Sequence, residues 1–362
     1  MNKYKVCVYA ISKNEEKFAK RWIDSMKEAD AIYVLDTGSS DNTVNILKNN
    51  NAIVETKIIN PWRFDVARNE ALKLIPDDYD ICVCTDLDEV FIPGWRKKLE
   101  SIWNEDTTRL LYNYNWKLDI NNNPLVNFYI DKIHSRNDYK WCHPVHEVLE
   151  YIGNKNEFKI STDEITLNHY PDENKSRKSY LPLLELSVKE DPFDDRNMHY
   201  LGREYMYYGM WNESIDTLIK HLSLKKATWK DERCASMRFI ARCYDNLNRY
   251  EEANMWLDKA IKEANYLREP YMEMAIFKYK NKYYNECLKY CKMALKISKQ
   301  PKSYISEFFS KDSYIYDMMS ICFYNIGKYS DSLKYANLAL KLDKNNSRIK
   351  NNIELIKNKL LL

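Results

Sequence analysis

The first ninety residues alternate short apolar runs with segments in which apolar residues recur every three or four positions. A continuous apolar run of four to eight residues is typical of a strand buried on both faces, and the longer spacing is typical of a helix with one buried face. Strand patterns cover 4–11, 31–36, 52–59 and 79–86, and helix patterns cover 14–29, 39–50 and 64–75. Strands alternating with helices predict an α/β fold with a mixed, mainly parallel sheet.

The pattern changes twice further along the chain. Residues 109–170 carry short strand patterns without helices between them, which predicts mixed or antiparallel structure closing one side of the sheet. After about residue 180 the pattern is helical throughout. We therefore expect two domains, an α/β domain at 1–180 and an all-α domain at 181–362.

Aromatic anchors mark a repeat in the helical part. Tyr250, Tyr284 and Tyr329 are each followed by a small residue after three positions and by Ala after ten, and Trp211 begins a weaker copy. The four anchors lie 39, 34 and 45 residues apart, around the 34-residue period of tetratricopeptide repeats. The pattern predicts a degenerate tetratricopeptide-like array, with an unrelated helical bundle as the alternative. Such arrays bind proteins or form dimer interfaces, so a homodimer through this domain is expected.

Composition excludes several classes of protein. The net charge of +3 is too small to indicate nucleic-acid binding, and 45% apolar with 30% charged residues is typical of a soluble globular chain. Nine cysteines without a CxxC pair favour reduced thiols and a cytoplasmic location. No segment approaches the roughly 18 apolar residues of a transmembrane helix, and the N-terminus does not read as a signal peptide.

The fourth predicted strand ends in the sequence Asp86-Leu87-Asp88. Ligands of open α/β sheets bind beyond the carboxyl ends of the strands. Two carboxylates placed there suit Mg²⁺ or Mn²⁺, which prefer oxygen ligands and often keep substrate phosphates in their coordination shell. The alternative is an ordinary solvated turn.

Three more features follow strand ends or lie near them. Asp36 ends the second strand, where it either supports a capped loop or accepts a hydrogen bond from a nucleobase. Ile11 ends the first strand, where the backbone could hold a base edge. Arg68 lies on the third helix, where it either binds a phosphate or orders the base-binding loop, or else lies on an exposed helix face.

These features occur in one order that identifies a family. The motifs AISKNEE (10–16), VLDTGSSDNT (34–43), FDVARNEAL (64–72) and DLDE (86–89) resemble those of the family 2 glycosyltransferases, whose nucleotide-binding domain has the GT-A fold. The segment WCHPVHEVL (141–149) resembles one found in members with tetratricopeptide-type tails. One position departs from the family pattern, because Thr37 replaces a second acidic residue after Asp36.

The resemblance implies a role for each candidate residue. Uracil would be bound by Asp36, with the Ile11 backbone and Arg68 nearby. Asp86 would contact the ribose and the water shell of the metal, while Asp88 and His169 would ligate Mn²⁺ or Mg²⁺. Glu147 would be the catalytic base, and Asp65 and Glu89 are its rivals. His146 beside it is a second catalytic candidate, with a structural histidine as the alternative.

The sequence thus predicts a metal-dependent transferase that moves a sugar from a UDP-sugar to a hydroxyl or thiol of a protein, peptide or glycan, with inversion implied by the resemblance. A catalytically inactive, repeat-based scaffold protein is the main alternative. A nucleotidyltransferase or sugar-phosphate enzyme is disfavoured, because no glycine-rich phosphate loop follows the first strand. A structural zinc site at Cys142, His143 and His146 is disfavoured as well, because no second ligand pair follows.

Overall fold

The structure is a computed structural model that describes residues 3–172, 179–299, 301 and 303–361. The chain divides into two compact units, residues 1–190 and residues 191–362. The strands of the first unit are β1 Val6–Ser12, β2 Ala31–Asp36, β3 Ile53–Thr56, β4 Ile81–Cys84, β5 Glu89–Phe91, β6 Arg109–Leu118, β7 Pro124–Ser135, β8 Tyr139–Cys142, β9 Val148–Tyr151 and β10 Lys159–His169. Its helices are α1 Glu16–Met26, α2 Thr43–Asn49, α3 Phe64–Lys73, α4 Trp95–Ile102 and α5 Tyr180–Glu190.

Eight strands of the described first unit form one sheet in the order β3-β2-β1-β4-β7-β6-β10-β5. Strands β1 to β4 are parallel to one another, and β6 and β10 run in the same direction. Strands β7 and β5 run in the opposite direction. The predicted mixed, mainly parallel sheet is therefore confirmed, although β3 is shorter than the predicted strand at 52–59.

The sheet is covered by apolar side chains on both faces. Alternate residues of β1 belong to different cores: Val6, Val8 and Ala10 pack with α1 and α4, while Cys7 and Tyr9 pack with α3 and the β8–β9 hairpin. This two-sided burial explains why the β1 sequence is continuously apolar. The polar residues Ser12 of β1 and Asp36 of β2 lie at the ends of these strands.

The second unit consists of helices in its described residues, apart from one short 3₁₀ turn at Phe308–Ser310. The helices are α6 Asp195–Tyr207, α7 Trp211–Ser223, α8 Lys230–Asn246, α9 Tyr250–Glu263, α10 Glu269–Lys280, α11 Tyr284–Leu295, α12 Asp312–Asn325, α13 Tyr329–Leu342 and α14 Ser347–Leu360. They pack as successive pairs, α6 with α7, α8 with α9, α10 with α11 and α12 with α13. None of the described helices has the length and apolar composition needed to cross a bilayer.

Small residues allow the paired helices to approach closely. The repeat positions Ala253, Ala260 and Ala294 are fully buried. At Gly202 of α6, an added Cβ would lie 2.5 Å from the Leu218 side chain of α7. The helix pairs and their small contact residues confirm the predicted tetratricopeptide-like array.

Candidate functional site

The sheet topology brings several polar segments to one edge. Strands β1, β2, β4 and β10 share a direction, so Ser12, Asp36, Asp86 and His169 lie at or just beyond carboxyl ends on the same side of the sheet. After Asp88 the chain turns back as β5 along β10, with Glu89 opposite His169. This return is what brings the acidic motif next to a histidine eighty residues later.

Asp86 lies between two basic side chains. Its Oδ1 accepts a hydrogen bond from Arg68 Nη2 at 2.7 Å, and its Oδ2 accepts one from Lys132 Nζ at 3.1 Å. Burial opposes the charged form, but the two positive charges outweigh it and hold the pKa of Asp86 below its ordinary value. Asp86 is therefore an ionised, charge-compensated carboxylate.

Arg68 connects Asp86 to the predicted base. Its side chain is 4% exposed, which excludes the exposed-face alternative. Besides Asp86, the guanidinium donates from Nε to Glu147 Oε1 at 2.5 Å and from Nη1 to Cys84 Sγ at 3.2 Å. It also lies 5.1 Å from the ring centroid of Trp141. The planar guanidinium thus holds Asp86 and Glu147 in fixed positions, which a lysine could not do.

Glu89, the rival base, is fully enclosed by its neighbours. Its Oε2 accepts from the Asp86 backbone N–H at 2.8 Å, and its Oε1 accepts from the Tyr114 hydroxyl at 2.7 Å. Lys132 Nζ lies 3.5 Å from the same carboxylate. Burial outweighs the attraction of Lys132 and raises the pKa of Glu89. These contacts make Glu89 a support for the turn that carries Asp86.

Asp88 faces His169 rather than the basic pair. His169 Nε2 lies 3.5 Å from Asp88 Oδ2, and the Tyr170 backbone N–H donates to the Asp88 carbonyl at 2.8 Å. The other ring nitrogen, Nδ1, lies 3.0 Å from the carbonyl oxygen of Trp116, whose indole stacks on the imidazole at 4.4 Å. Burial disfavours protonation of the ring, but Asp88 outweighs it and raises the pKa of His169.

These contacts bear on the predicted metal site. Since a carbonyl oxygen only accepts, His169 Nδ1 donates to Trp116, which leaves Nε2 as the ring nitrogen beside Asp88 that could bind a metal ion in place of a proton. One carboxylate and one imidazole suit Mn²⁺ or Mg²⁺ when phosphate oxygens and water complete the shell. Among the described residues, however, no group of three or more His, Cys, Asp and Glu side chains could hold a metal ion, and Asp86 is turned toward Arg68 and Lys132.

Asp36 organises the loop that follows β2. Its side chain is 1% exposed. Oδ1 accepts from the backbone N–H groups of Gly38 and Ser39 at 3.0 and 2.9 Å, and Oδ2 accepts from the Ser12 and Ser39 hydroxyls at 3.0 and 2.5 Å. Gly38 permits this turn because its φ is +105°. The carboxylate therefore links the ends of β1 and β2.

Ile11 lies where β1 extends past β4. The Tyr9 carbonyl accepts from the Thr85 backbone N–H at 3.1 Å, which is the last bond of the β1–β4 pairing, and the Ser12 carbonyl accepts from Thr37 on the β2 side. Peptide groups of a strand alternate in direction, so those of Ile11 point to the β4 side beyond the strand end. This is the position from which a backbone could hold a base edge.

His146 and Glu147 lie in the bend that precedes β9, which begins at Val148. His146 has φ = +52°, and its ring packs against Tyr180 at 5.7 Å. Glu147 is directed to Arg68, and Asp65, the other rival base, is paired with Arg63 at 2.9 Å. Of the predicted residues, Arg68, Asp86 and Glu147 form one contact group and Asp88 and His169 form a second.

Sequence reasoning missed Lys132 and Trp116. Lys132 lies in a strand pattern between Ile130 and Ile133. A lysine in a central, buried strand needs a carboxylate partner, so its position in the pattern was the signal that could have indicated its role. Trp116 had none, because its contact with His169 depends on the pairing of β6 with β10.

Two of three comparisons with known proteins gave matches. Residues 7–142 match the family model described as Glycosyl transferase family 2. The chain is also similar to solved structures of MamA (15% identity, covering 48% of this chain and 96% of that chain, TM-score 0.37), of Pseudomonas aeruginosa pilF (12%, 47% and 70%, TM-score 0.36) and of the first TPR domain of human RPAP3 (17%, 36% and 94%, TM-score 0.31). Among curated proteins there is no match. The family match confirms, for residues 7–142, the resemblance carried by the four motifs.

Proposed function

We propose, from the premise that residues 7–142 form a Glycosyl transferase family 2 domain with the GT-A fold, that the protein is a metal-dependent glycosyltransferase. Its donor would be a UDP-sugar, and its acceptor would be a hydroxyl or thiol of a protein, peptide or glycan. The observation that carries the proposal is the placement of Asp88 beside His169 at the sheet edge that also holds Asp86 and Lys132.

Asp88 Oδ2 and His169 Nε2 would hold the divalent cation, which when bound neutralises negative charge on the departing diphosphate. Lys132 and Arg68, which both contact Asp86, lie at the same edge and would add positive charge beside the diphosphate. Trp116 fixes the orientation of His169 through its carbonyl and its ring. Asp36 would act on the base through the loop of Gly38 and Ser39.

Transfer requires a proton to leave the acceptor. In the proposed step the acceptor oxygen or sulfur forms a bond to C1 of the sugar, and the C1–O bond breaks with its electron pair going to the diphosphate. The acceptor proton goes to Glu147, whose Oε1 is held by Arg68 Nε while Oε2 is not part of that contact. A single displacement of this kind inverts the anomeric centre.

The proposal is tested by calorimetric titration of the protein with UDP, GDP and CMP, each with and without Mn²⁺. We expect Mn²⁺-dependent binding of UDP, and an Asp88→Ala variant should lower that affinity roughly 100-fold, because a metal ligand is lost. Asp77→Ala is the matched control, since Asp77 is exposed and pairs with Arg136, which lies in a bend after β7. Metal-independent binding, or full affinity in Asp88→Ala, would contradict the metal site, and binding of none of the nucleotides would favour the scaffold alternative.

A further inference from the structure

Trp116, near the carboxyl end of β6, is the most exposed tryptophan of the first unit. It is 47% exposed. The other five tryptophans of residues 1–190 all lie in the described part of the chain and are either at most 5% exposed or half-buried: Trp22, Trp62, Trp95, Trp103 and Trp141. The Trp116 indole thus keeps open surface at the sheet edge that carries the candidate site.

One face of the Trp116 indole is covered by the imidazole of His169. The two ring centroids are 4.4 Å apart, and the ring planes differ by 19°. The imidazole is held in turn, because Asp88 lies 3.5 Å from Nε2 and the Trp116 carbonyl lies 3.0 Å from Nδ1. Tyr114 packs on the indole from a second side at 6.0 Å. The indole is therefore held in one orientation, and its open face is the one turned away from His169.

The indole lies beside the proposed cation and away from the proposed base site. Three strand spacings, about 14 Å, separate β1 from β6 in the order β1-β4-β7-β6. A nucleotide sugar carries its base and its sugar at opposite ends of the diphosphate. With the base at the ends of β1 and β2 and the diphosphate at the Asp88–His169 pair, the sugar is the part of the donor nearest to Trp116.

A hexopyranose has the chemistry that suits an open indole face. Its hydroxyl groups project mainly from the edge of the ring, so they stay in contact with water or polar groups when one ring face is covered. The C–H groups on that face are attracted by the negative face of the aromatic quadrupole. An aromatic side chain of a peptide would also stack on an indole, but it is not attached to a diphosphate.

We propose that the open face of Trp116 binds the hexopyranose ring of the donor, and that this residue therefore contributes to the choice of the transferred sugar. The inference rests on the proposed function, because it requires a nucleotide-sugar donor at this edge. The two faces of the indole then have different partners, His169 on one side and the sugar on the other. The stacking that orients a metal ligand also places the sugar next to the diphosphate.

The test compares the affinities of the full chain for UDP and for UDP-sugars. UDP, UDP-glucose, UDP-N-acetylglucosamine and UDP-galactose are each titrated calorimetrically in the presence of Mn²⁺. The measured quantity is the ratio of UDP-sugar affinity to UDP affinity, for the UDP-sugar that the wild-type chain binds most tightly. Both ligands use the site at His169, so an effect of Trp116 on that site cancels in the ratio.

In Trp116→Ala we expect this ratio to fall about tenfold, because the sugar loses its contact with the indole while the rest of the donor keeps its contacts. Trp116→Phe keeps an aromatic face and should keep the ratio within about threefold of the wild-type value. Trp229→Ala is the matched control, since Trp229 is 43% exposed and belongs to the helical unit. It should leave the ratio unchanged.

Two results would overturn the inference and leave the transferase proposal intact. One is a wild-type ratio in Trp116→Ala together with Mn²⁺-dependent binding of UDP, and the other is an equal fall of the ratio in Trp116→Ala and Trp229→Ala. Absence of UDP binding to the wild-type chain would contradict the proposed function and this inference together. If Trp116→Ala no longer binds UDP, Trp116→Leu replaces it with the same expected fall, because leucine keeps apolar packing on His169 without an aromatic face.

Discussion

Asp86 and Asp88 are separated by one residue, yet they lie in opposite electrostatic surroundings. Asp86 is held between the guanidinium of Arg68 and the ammonium of Lys132, whereas Asp88 lies beside His169. A carboxylate that already has two cationic partners gains less from a metal ion than one beside a single histidine, which can give up its Nε2 proton to a metal. We therefore propose that Asp88 ligates the metal and that Asp86 positions the basic residues around the diphosphate.

The acidic pair was predictable from sequence, but the partners that distinguish its two members were not. An apolar run followed by Asp86-Leu87-Asp88 already indicates a strand end with ligating carboxylates. Lys132 reaches Asp86 from β7, which inserts into the sheet next to β4, and neither position follows from local pattern. The residue types at a strand end can thus be predicted from sequence. Their ion-pair partners can be predicted only when the order of the strands in the sheet is known.

Glu147 gives a test of the proposed proton transfer. Replacing it with Gln keeps an oxygen that can accept from Arg68 Nε but removes the proton acceptor, so donor binding should be unchanged and turnover should fall about 100- to 10,000-fold. Glu150→Gln is the matched control, because Glu150 is an exposed carboxylate on the neighbouring strand β9. The measurement is transfer rate with a UDP-sugar, alongside UDP affinity. Unchanged turnover in Glu147→Gln would move the base elsewhere.

At the scale of elements, a chain of hydrogen bonds crosses the sheet core beneath the site. Trp141 Nε1 donates to the Tyr9 hydroxyl at 2.8 Å, and that hydroxyl lies 2.9 Å from His134 Nε2. His134 Nδ1 lies 2.7 Å from the Ser135 carbonyl, so the proton is on Nδ1 and Nε2 accepts from Tyr9. Because Trp141 also packs on Arg68, this chain supports the residue that holds Asp86 and Glu147.

The chain of bonds requires a neutral imidazole, which predicts acid sensitivity. Burial lowers the pKa of His134 to about 3, below the unfolded value of about 6.5. The unfolded state therefore binds a proton that the folded state does not, and stability falls as the pH falls below 6.5. At pH 5 this one group should cost about 2 kcal/mol relative to neutral pH.

A His134→Gln variant isolates this contribution. The difference in unfolding free energy between the wild-type chain and the variant should shift by about 2 kcal/mol between pH 7 and pH 5, in favour of the variant at the lower pH. His199, whose pKa burial also lowers to about 3, is unchanged in both chains and cancels. If the unfolding free energies of the wild-type chain and the variant changed equally with pH over this range, His134 would have the same pKa in the folded and unfolded states, and this prediction would be wrong.

The order of elements in the first unit followed from hydrophobic periodicity, since strands buried on both faces leave continuous apolar runs such as 6–11. The bend at His146 could not be predicted in this way. The apolar spacing of HEVLEYI (146–152) does not show that β9 begins only at Val148. In the helical unit the tyrosine spacing predicted the paired helices, and its irregularity marked the long connection at 296–311 between α11 and α12. The spacing could not show where the described residues of this connection pack, because that depends on the contacts of Tyr304 with Trp229 and of Glu307 with the arginines of α8.

At the scale of the whole molecule, every proposed donor and metal contact lies in the first unit. The residues from Ile11 to His169 belong to a unit with its own two cores, and its last helix is tied to it by Arg63, which pairs with Glu190 at 2.5 Å. A chain ending at Glu190 should therefore fold and bind UDP in the presence of Mn²⁺ with an affinity close to that of the full chain.

Removal of residues 191–362 should instead affect what the helical unit is proposed to do. Helix arrays present large surfaces to proteins, so we expect the shortened chain to lose transfer to a protein acceptor, or the dimeric state, while hydrolysis of the UDP-sugar by water continues. Light scattering measures the oligomeric state, and transfer to peptide and to water measures the two activities separately. Equal oligomeric states together with equal transfer to a protein acceptor in both chains would contradict a role for the repeats in acceptor use or dimerisation. Loss of UDP binding would instead mean that the donor site needs residues beyond Glu190, since the shortened chain keeps both apolar cores.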